Sequence, residues 1–507
     1  MAPVPFNKIP GALRIPGFFA EVNASKANTS ASPQRALIVG QITGAGVAAP
    51  NVPLLSQGPS DAITQGGAGS MLALMTAAFR KNNSFTELWY LPLADAGGAV
   101  AASGSIAFTG PATAAGVLAL YIAAASLALG DSVPSPILIP VTNGMSGTAL
   151  GAAVAAAITA LPNLPVIATA TTGTVTVTAK NAGLAGNDID IRLNYQGTAG
   201  GESLPAGIGA TITALSGGAT NPTLTTALAN LVDKAFDFIV TPYTDATSIA
   251  ALTAFMNDTT GRWSWNNQIY GHVFGAYRGS SSALATFGTG LNDPHASFVG
   301  FFDSPTPSWI WAAAAAGAVA TALSNDYTAP ITGMAGLGLQ GVLAPPLASR
   351  FLPTIRNTLL YDGIATFKVN AGQVFLESMI TTYQLNSQGQ ADNSYLKAET
   401  LFSLMFNLRD LANFVSTNWP NSKLAADGAK YAPGVQVATP KTIAAGINAR
   451  YRYNCGQGFA QNAPAFAAGL VVQKNTANQN RVDVLFDPIL INTVDTLAAL
   501  AQFRLAA

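Results

Sequence analysis

The stretch NPTLTTALANLVDKAFDFIVTPYTDATSIAALTAFMND, residues 221–258, changes its apolar period twice. Asn221 suits a helix N-cap and Pro222 the first helical position, so a helix is expected to start there. AFDFIV is a short apolar run of strand length, and the segment after Thr244 returns to helical spacing. The rhythm continues with IYGHVFGAY as a strand, SSSALATFG as a short helix, ASFVGFF as a strand and SWIWAAAAAGAVATAL as a helix. Strands alternating with helices imply a parallel, doubly wound sheet.

Upstream, RALIVGQI at 35–42 reads as a strand. SDAITQGGAGSMLALMTAAFRKNN reads as a helix capped by Ser60, with Leu72, Met75 and Phe79 at helical spacing, and FTELWYLPL as the next strand. This β-α-β piece is expected to join the later sheet across an insertion. Between them, residues 101–216 are dominated by Gly, Ala and Thr. GSIAFTG, SPILIPVT, PVIATATTGTVTVTAK and NDIDIRLNY read as strands, and GTALGAAVAAAITAL as one helix. Thr174–Thr178 alternates Val with Thr, as a half-buried strand does.

Past about residue 365 the texture shifts again. ATFKVN and VFLESMITTYQ suggest a β-hairpin, and Tyr395–Asn418 a long helix with Leu401, Leu404, Met405, Leu408, Leu411 and Val415 along one face. The domain reading is an N-terminal extended arm (1–35), the first part of the α/β core (36–100), an inserted outer β-rich α+β domain (101–216), the rest of the core (217–365), an α+β C-terminal domain (366–480) and a C-terminal strand arm (481–507). The N-terminal arm, LRIPGFFAEVN, offers Leu13, Ile15, Phe18, Phe19 and Val22 as apolar anchors. The other arm, RVDVLFDPILIN, offers Val482, Val484, Leu485, Phe486, Ile489 and Ile491. Chain ends fray unless something ties them down, so a good strand at Arg481–Ile491 calls for a pairing partner.

The 24 basic and 24 acidic residues cancel, so overall charge draws the chain to neither nucleic acid nor an anionic membrane. Charged residues are only 9% of the chain, against about 25% in an ordinary soluble domain. Such a surface is expected to be covered by copies of the chain or by partners. The apolar runs Ala115–Gly130 and Trp309–Leu323 fall short of the ~20 residues of a membrane span and read as buried elements. The proline-broken N-terminus has no apolar core of a signal peptide, and the single cysteine, Cys455, fits a reducing compartment.

Chemistry-bearing patterns are weak. GAGVAA at 44–49 matches a phosphate-cradle spacing, but Pro50 and Pro53 block the helix such a cradle needs, so it reads as a loop. Asp245, His272 and Ser281 stand in the order of one serine-hydrolase triad, but the proline expected shortly after the serine is missing and His272 lacks the Gly-rich context of that chemistry, so catalytic residues are read as none. Asp188 and Asp190, two apart on a strand, share a face that could hold calcium, though a solvated face is the plainer reading. No cofactor or metal ligand set is apparent. ARYRYN, beginning at Ala449, could stack on single-stranded nucleic acid, but at zero net charge an inter-subunit contact fits better.

Several stretches together resemble the sheath proteins of contractile phage tails, in the Mu-like branch. They are IPGALRIPGFFAEVNAS, GNDIDIRLNY, AFDFIVTPYTDATSIAALTAFMND with GRWSWNNQIYGHVFGAYRG, FFDSPTPSWIWAAAAAG, DNSYLKAETLFSLMFNLRDL and RVDVLFDPILINTVDTLAALAQFRL. The resemblance implies a subtilisin-like core without protease activity. It implies stacked hexameric rings around a tail tube, with baseplate and tail terminator proteins as further partners, and contraction that drives the tube through the host envelope. It also implies a place in the virion tail, assembly in the host cytoplasm, no direct nucleic-acid contact and no membrane insertion. On this reading both arms pair with sheet edges of neighbouring subunits by β-augmentation. The alternatives are a serine hydrolase on the same core, a binding or adhesion role for the inserted domain, and the sheath of a phage-derived bacteriocin or injection device.

Overall fold

The computed structural model describes residues 34–123, 135–428, 431–432 and 435–505. The N-terminal anchors Leu13, Ile15, Phe18, Phe19 and Val22 lie outside the described residues.

The core opens with β1 (Arg35–Gln41), β2 (Leu54–Leu55), α1 (Pro59–Gly66), α2 (Met71–Asn82) and β3 (Glu87–Leu93). The single helix expected from Ser60 is in fact two. Gly67 and Gly69 take φ of 88° and 74°, a region that favours glycine, and the chain breaks there. Gly58 precedes α1, whereas Ser70 caps α2 by accepting the Ala73 N–H at 3.2 Å.

The inserted segment holds β4 (Ser103–Thr109), β5 (Gly116–Ile122), β6 (Ile137–Val141), α3 (Gly147–Thr159), β7 (Val166–Thr171), β8 (Thr174–Ala179), β9 (Ile191–Leu193) and β10 (Gly209–Ser216). Two antiparallel sheets result, in the orders β10-β4-β8-β7 and β6-β5-β9. The alternation in β8 is as read: Val175, Val177 and Ala179 are buried. α3 packs on β4, β7 and β8 through Leu150, Val154 and Ile158.

The chain then returns to the core with α4 (Thr225–Ala229), β11 (Phe238–Val240), α5 (Ala246–Met256), β12 (His272–Arg278), α6 (Ser281–Thr289), β13 (Ala296–Phe301) and α7 (Ser308–Ala322). Asn221 does not cap a helix, because its side chain is used elsewhere. It accepts the Leu184 N–H at 2.9 Å and donates to Asp245 at 2.7 Å, and α4 begins only after Leu224. The six-stranded sheet runs β13-β12-β11-β1-β3-β2, and only β2 is antiparallel. β1 joins β11 in parallel, Ala36 beside Phe238 and Ile38 beside Val240, so the sheet closes across the insertion as expected. One face (Ile38, Tyr90, Phe238, Phe274) packs under α2 and α7; the other (Leu37, Val39, Ile239, Val273) packs against Leu228, Leu252 and Met256. Helices on both faces make the sheet doubly wound. α7 is apolar all round because it is buried all round, from Trp309 to Ala320. A Cβ on Gly317 would stand 2.6 Å from the Phe79 carbonyl, which fixes how closely α7 crosses α2.

The C-terminal part comprises β14 (Leu337–Leu339), α8 (Pro353–Tyr361), β15 (Thr366–Asn370), β16 (Gln373–Ser378), α9 (Ala398–Asn418), β17 (Lys423–Leu424), β18 (Val437–Ala438), α10 (Pro440–Gly456), α11 (Ala463–Gly469), β19 (Val471–Lys474) and β20 (Val482–Leu485). β15 and β16 form the expected hairpin. α9 starts at Ala398 rather than Tyr395, and buries Leu401, Phe402 and Met405 while Val415 is exposed. The terminal strand is shorter than the Arg481–Ile491 read from the sequence. It ends at Leu485, and Pro488, which has no N–H to give a ladder, follows within three residues.

Candidate assembly interface

β20 has a partner in its own chain. It pairs antiparallel with β19, Val471 opposite Leu485 and Gln473 opposite Asp483. The two short strands flank an Asn-rich loop, a hairpin signal that the sequence carries at 471–485 beside the alternation of the terminal strand.

The hairpin lies on α10 and α11. Val472, Val482 and Phe486 pack against a small core of Ile443, Ile447, Tyr451, Ala460 and Phe466. Tyr451 stacks on Phe466 with centroids 3.7 Å apart, and Phe486 meets the Phe466 ring edge-on at 5.4 Å. The chain beyond β20 is then pinned by its backbone. Ile489 N–H donates to the Tyr451 hydroxyl at 2.8 Å, and the Ile489 carbonyl accepts from Gln461 N–H at 3.0 Å. The Gln461 side-chain amide adds a bond to the Leu490 carbonyl at 2.8 Å. Burial pushes the Tyr451 phenol up, so it stays a neutral donor and acceptor.

Among the sequence-derived anchors, Val482, Phe486 and the Ile489 backbone are therefore engaged within the subunit. Val484, Leu485 and Ile491 are exposed, Leu485 at 60%. The ladder geometry says which backbone groups are free. Asn475 N–H donates to the Arg481 carbonyl at 2.9 Å. In an antiparallel pair, bonded and non-bonded positions alternate, so Gln473–Asp483 and Val471–Leu485 exchange bonds. The N–H and C=O groups of Val482 and Val484 then point away from β19. Among the described residues the sheet has two strands only, so no described strand pairs with that edge of β20. Beyond it the tail carries Leu497, Leu500, Phe503 and Leu505, exposed at 72%, 87%, 84% and 94%.

A sequence profile for the phage tail sheath protein central domain matches residues 217–382, which include β11–β13 and α7. The tail sheath protein of a Mu-like prophage, FluMu, in Haemophilus influenzae is 34% identical over 506 residues, covering 99% of this chain and 100% of the relative. The chain belongs to the phage tail sheath family. Crystal structures of sheath tail proteins from Listeria innocua and Desulfitobacterium hafniense align over 93% and 94% of this chain and 95% and 100% of theirs, at 12% and 13% identity and TM-scores of 0.47 and 0.45.

The remaining candidates of this sheath protein resolve into structural contacts. Asp245 caps α5, accepting the Ser248 N–H at 3.0 Å. His272 and Ser281 stand at opposite ends of β12, about 20 Å apart at the usual strand rise. His272 is fully buried and its Nε2 meets the Ser297 hydroxyl at 2.8 Å. Burial, with a smaller contribution from His295, lowers its pKa to about 3.

Asp188 and Asp190 are not a solvated strand face. Asp188 ends a 3-10 turn before β9, where Arg278 pairs with it and Ser308 N–H donates to it. Arg192 pairs with Asp190 at 2.8 Å and also with Asp303. Arg278 also donates to the carbonyls of Ser304 and Thr306, so these arginines bolt the inserted segment to the core. Within ARYRYN, Arg450 chelates Asp410 of α9 and Tyr451 is core, leaving Arg452 and Tyr453 outside. A cavity of about 510 Å³ between α1, α2 and the inserted segment is lined by Ile63, Leu74, Ile122, Ile137, Leu164 and Ile310, with no titratable group among the described residues. No helix among the described residues is long and apolar enough to cross a membrane.

Proposed function

We propose that this protein is the structural sheath subunit of a contractile tail, polymerising as stacked hexameric rings around an inner tube and contracting to drive that tube through the host envelope. The observation that carries the reading is full-length relatedness to a tail sheath protein, in a chain whose terminal hairpin has one strand edge without a partner among the described residues. The subtilisin-like core then acts as an inert scaffold, and the inserted segment as an outer domain. The N-terminal arm, with Leu13, Ile15, Phe18, Phe19 and Val22, would add to a neighbour's sheet. The β20 edge at Val482 and Val484, with Leu485 and Ile491 beside it, would receive or extend such a sheet by backbone hydrogen bonds. An exposed edge is a liability in a monomer and a linkage in a lattice.

In this scheme the subunit works in the virion tail after assembly in the host cytoplasm, against tail tube, baseplate and tail terminator proteins. Mechanical work without fuel requires a metastable extended lattice, with more surface buried after contraction. At ~25 cal/mol per Å², even ~100 Å² more apolar burial per subunit gives roughly 2.5 kcal/mol for each copy.

The test is electron microscopy of the purified full chain, concentrated alone and with a preformed inner tube. Striated hollow tubes are expected, and should be lost when Met1–Gln34 is removed or the β20 edge is blocked. Removing 481–507 is the poorer variant, because it would also uncover Tyr451 and Phe466. Normal tubes from both altered chains would overturn the arm-linked lattice.

A further inference from the structure

After Leu490 the tail stays on its own subunit for a few residues more. The Val494 carbonyl lies 4.0 Å from where a Cβ on Gly333 would stand. Asp495 pairs with Lys397, the residue that precedes α9. From Leu497 onward the side chains are exposed. Asp495 is thus the last anchor before the free apolar tail.

Two residues beyond Lys397, in the first turn of α9, Glu399 presents an anomaly. It is 5% exposed, and among the described residues no side chain hydrogen-bonds either carboxylate oxygen; only the Glu399 and Ile331 backbone amides act on it. A buried carboxylate without a counter-ion is among the more costly features a fold can keep. Burial pushes its carboxyl up; the Lys397 charge opposes the shift and the Asp495 charge adds to it. The nearby Glu399 and Ile331 amides favour the ionised form. One cation therefore stands between two carboxylates, and the tail occupies it.

We infer that Lys397 is an exchange cation: it holds Asp495 while the tail lies on its own subunit, and turns to Glu399 when the tail leaves for a neighbouring copy. This rests on the lattice reading above and names how its C-terminal arm is regulated. Releasing the tail forfeits a partly exposed ion pair, and the exchange offsets that loss by giving the buried Glu399 a counter-ion. The hold on the tail is thus weak by construction.

The test uses the full chain as dissociated subunits and follows the Glu399 side-chain carboxyl by carbon-13 NMR titration. Asp495→Asn frees Lys397, so the Glu399 pKa should fall by about 1–3 units, as for a carboxylate gaining an adjacent cation. In the Lys397→Met background the same substitution should give a clearly smaller fall, because only carboxylate repulsion is lost. Lys397→Gln gives the same comparison if the methionine variant does not fold. Equal shifts with and without Lys397 would overturn the exchange.

Assembly supplies a second readout. Asp495→Asn should lower the subunit concentration needed for tubes by about two- to five-fold, the worth of one exposed pair, and Glu399→Gln should raise it. Shifts in the same direction would overturn the exchange. If blocking the arms leaves tube formation unchanged, the lattice reading fails instead, and the titration still decides what Lys397 does.

Discussion

Val484→Pro separates the inner edge of the terminal hairpin from its outer edge. The Val484 N–H points away from β19, so proline there removes no bond of the subunit's own ladder. Proline is tolerated at such edge positions, and Val484 is 39% exposed, so the free subunit should lose about 1 kcal/mol or less. A strand arriving from a neighbour meets a different surface. It loses one donor, leaves its own acceptor buried without a partner, and collides with the ring. An unsatisfied buried acceptor costs about 1–3 kcal/mol, equivalent to roughly a 5- to 150-fold rise in the subunit concentration needed for polymer. Sedimentation of tubes across a concentration series measures this directly, and thermal unfolding of the free subunit checks the fold. Asp483→Pro is the contrast, because that N–H faces Gln473 and its loss should destabilise the hairpin itself. Val484→Pro chains that form tubes at the wild-type concentration would refute the open-edge argument.

Acid should act through His272, whose folded pKa of about 3 lies below its ordinary value of 6.5. Between those two values the unfolded chain binds the extra proton, so stability is complete above about pH 6.5 and falls as pH drops toward 3, by on the order of 4 kcal/mol. Urea unfolding at stepped pH should show this slope, and His272→Gln should flatten it; an unchanged slope would exclude His272 as the source. Arg278→Met should lower the unfolding free energy by about 3 kcal/mol, since it leaves Asp188 part-buried without its cation, and Arg278→Lys should not restore the loss because one ammonium cannot span Asp188, Ser304 and Thr306. A lysine variant with wild-type melting would count against the bolt. Gly317→Ala should cost about 1–3 kcal/mol by forcing α7 off the Phe79 carbonyl, read as a lowered melting temperature.

Periodicity carried most of the fold. The strand–helix alternation after residue 235, the Val–Thr alternation of β8 and the all-apolar α7 each report burial locally, and each element forms where its pattern lies. What failed was decided by contacts far along the chain. Asn221 has the chemistry of a cap, but Leu184 and Asp245 take its side chain. Asp188 reads as part of a polar face because its neutralising partner, Arg278, is about ninety residues away, although the partner of Asp190, Arg192, stands two residues on. Gly67 and Gly69 mark the break between α1 and α2, but the helical spacing of the apolar residues that flank them runs through it. At the terminus the alternation identified a strand, but it could not say that β19 already occupies one edge.

The low charge of the chain acquires a sharper meaning in three dimensions. Few as the charged residues are, many are spent inside one subunit: Arg278 on Asp188, Arg356 on Glu377, Arg409 on Asp237, Arg450 on Asp410. The surface is therefore poorer in unpaired charge than the composition suggests. At the same time Val471 and Leu485 form an exposed cross-strand apolar pair, and Leu497, Leu500 and Phe503 stand in solvent beyond them. Fully burying such side chains is worth about 1.5–3 kcal/mol each, so covering this one region offers several kcal/mol per subunit. A monomer gains nothing from that arrangement and is exposed to aggregation by it. Under the proposed lattice, covering the hairpin and tail would convert the same liability into cohesion, and the Lys397–Asp495 pair would set how readily the tail is given up.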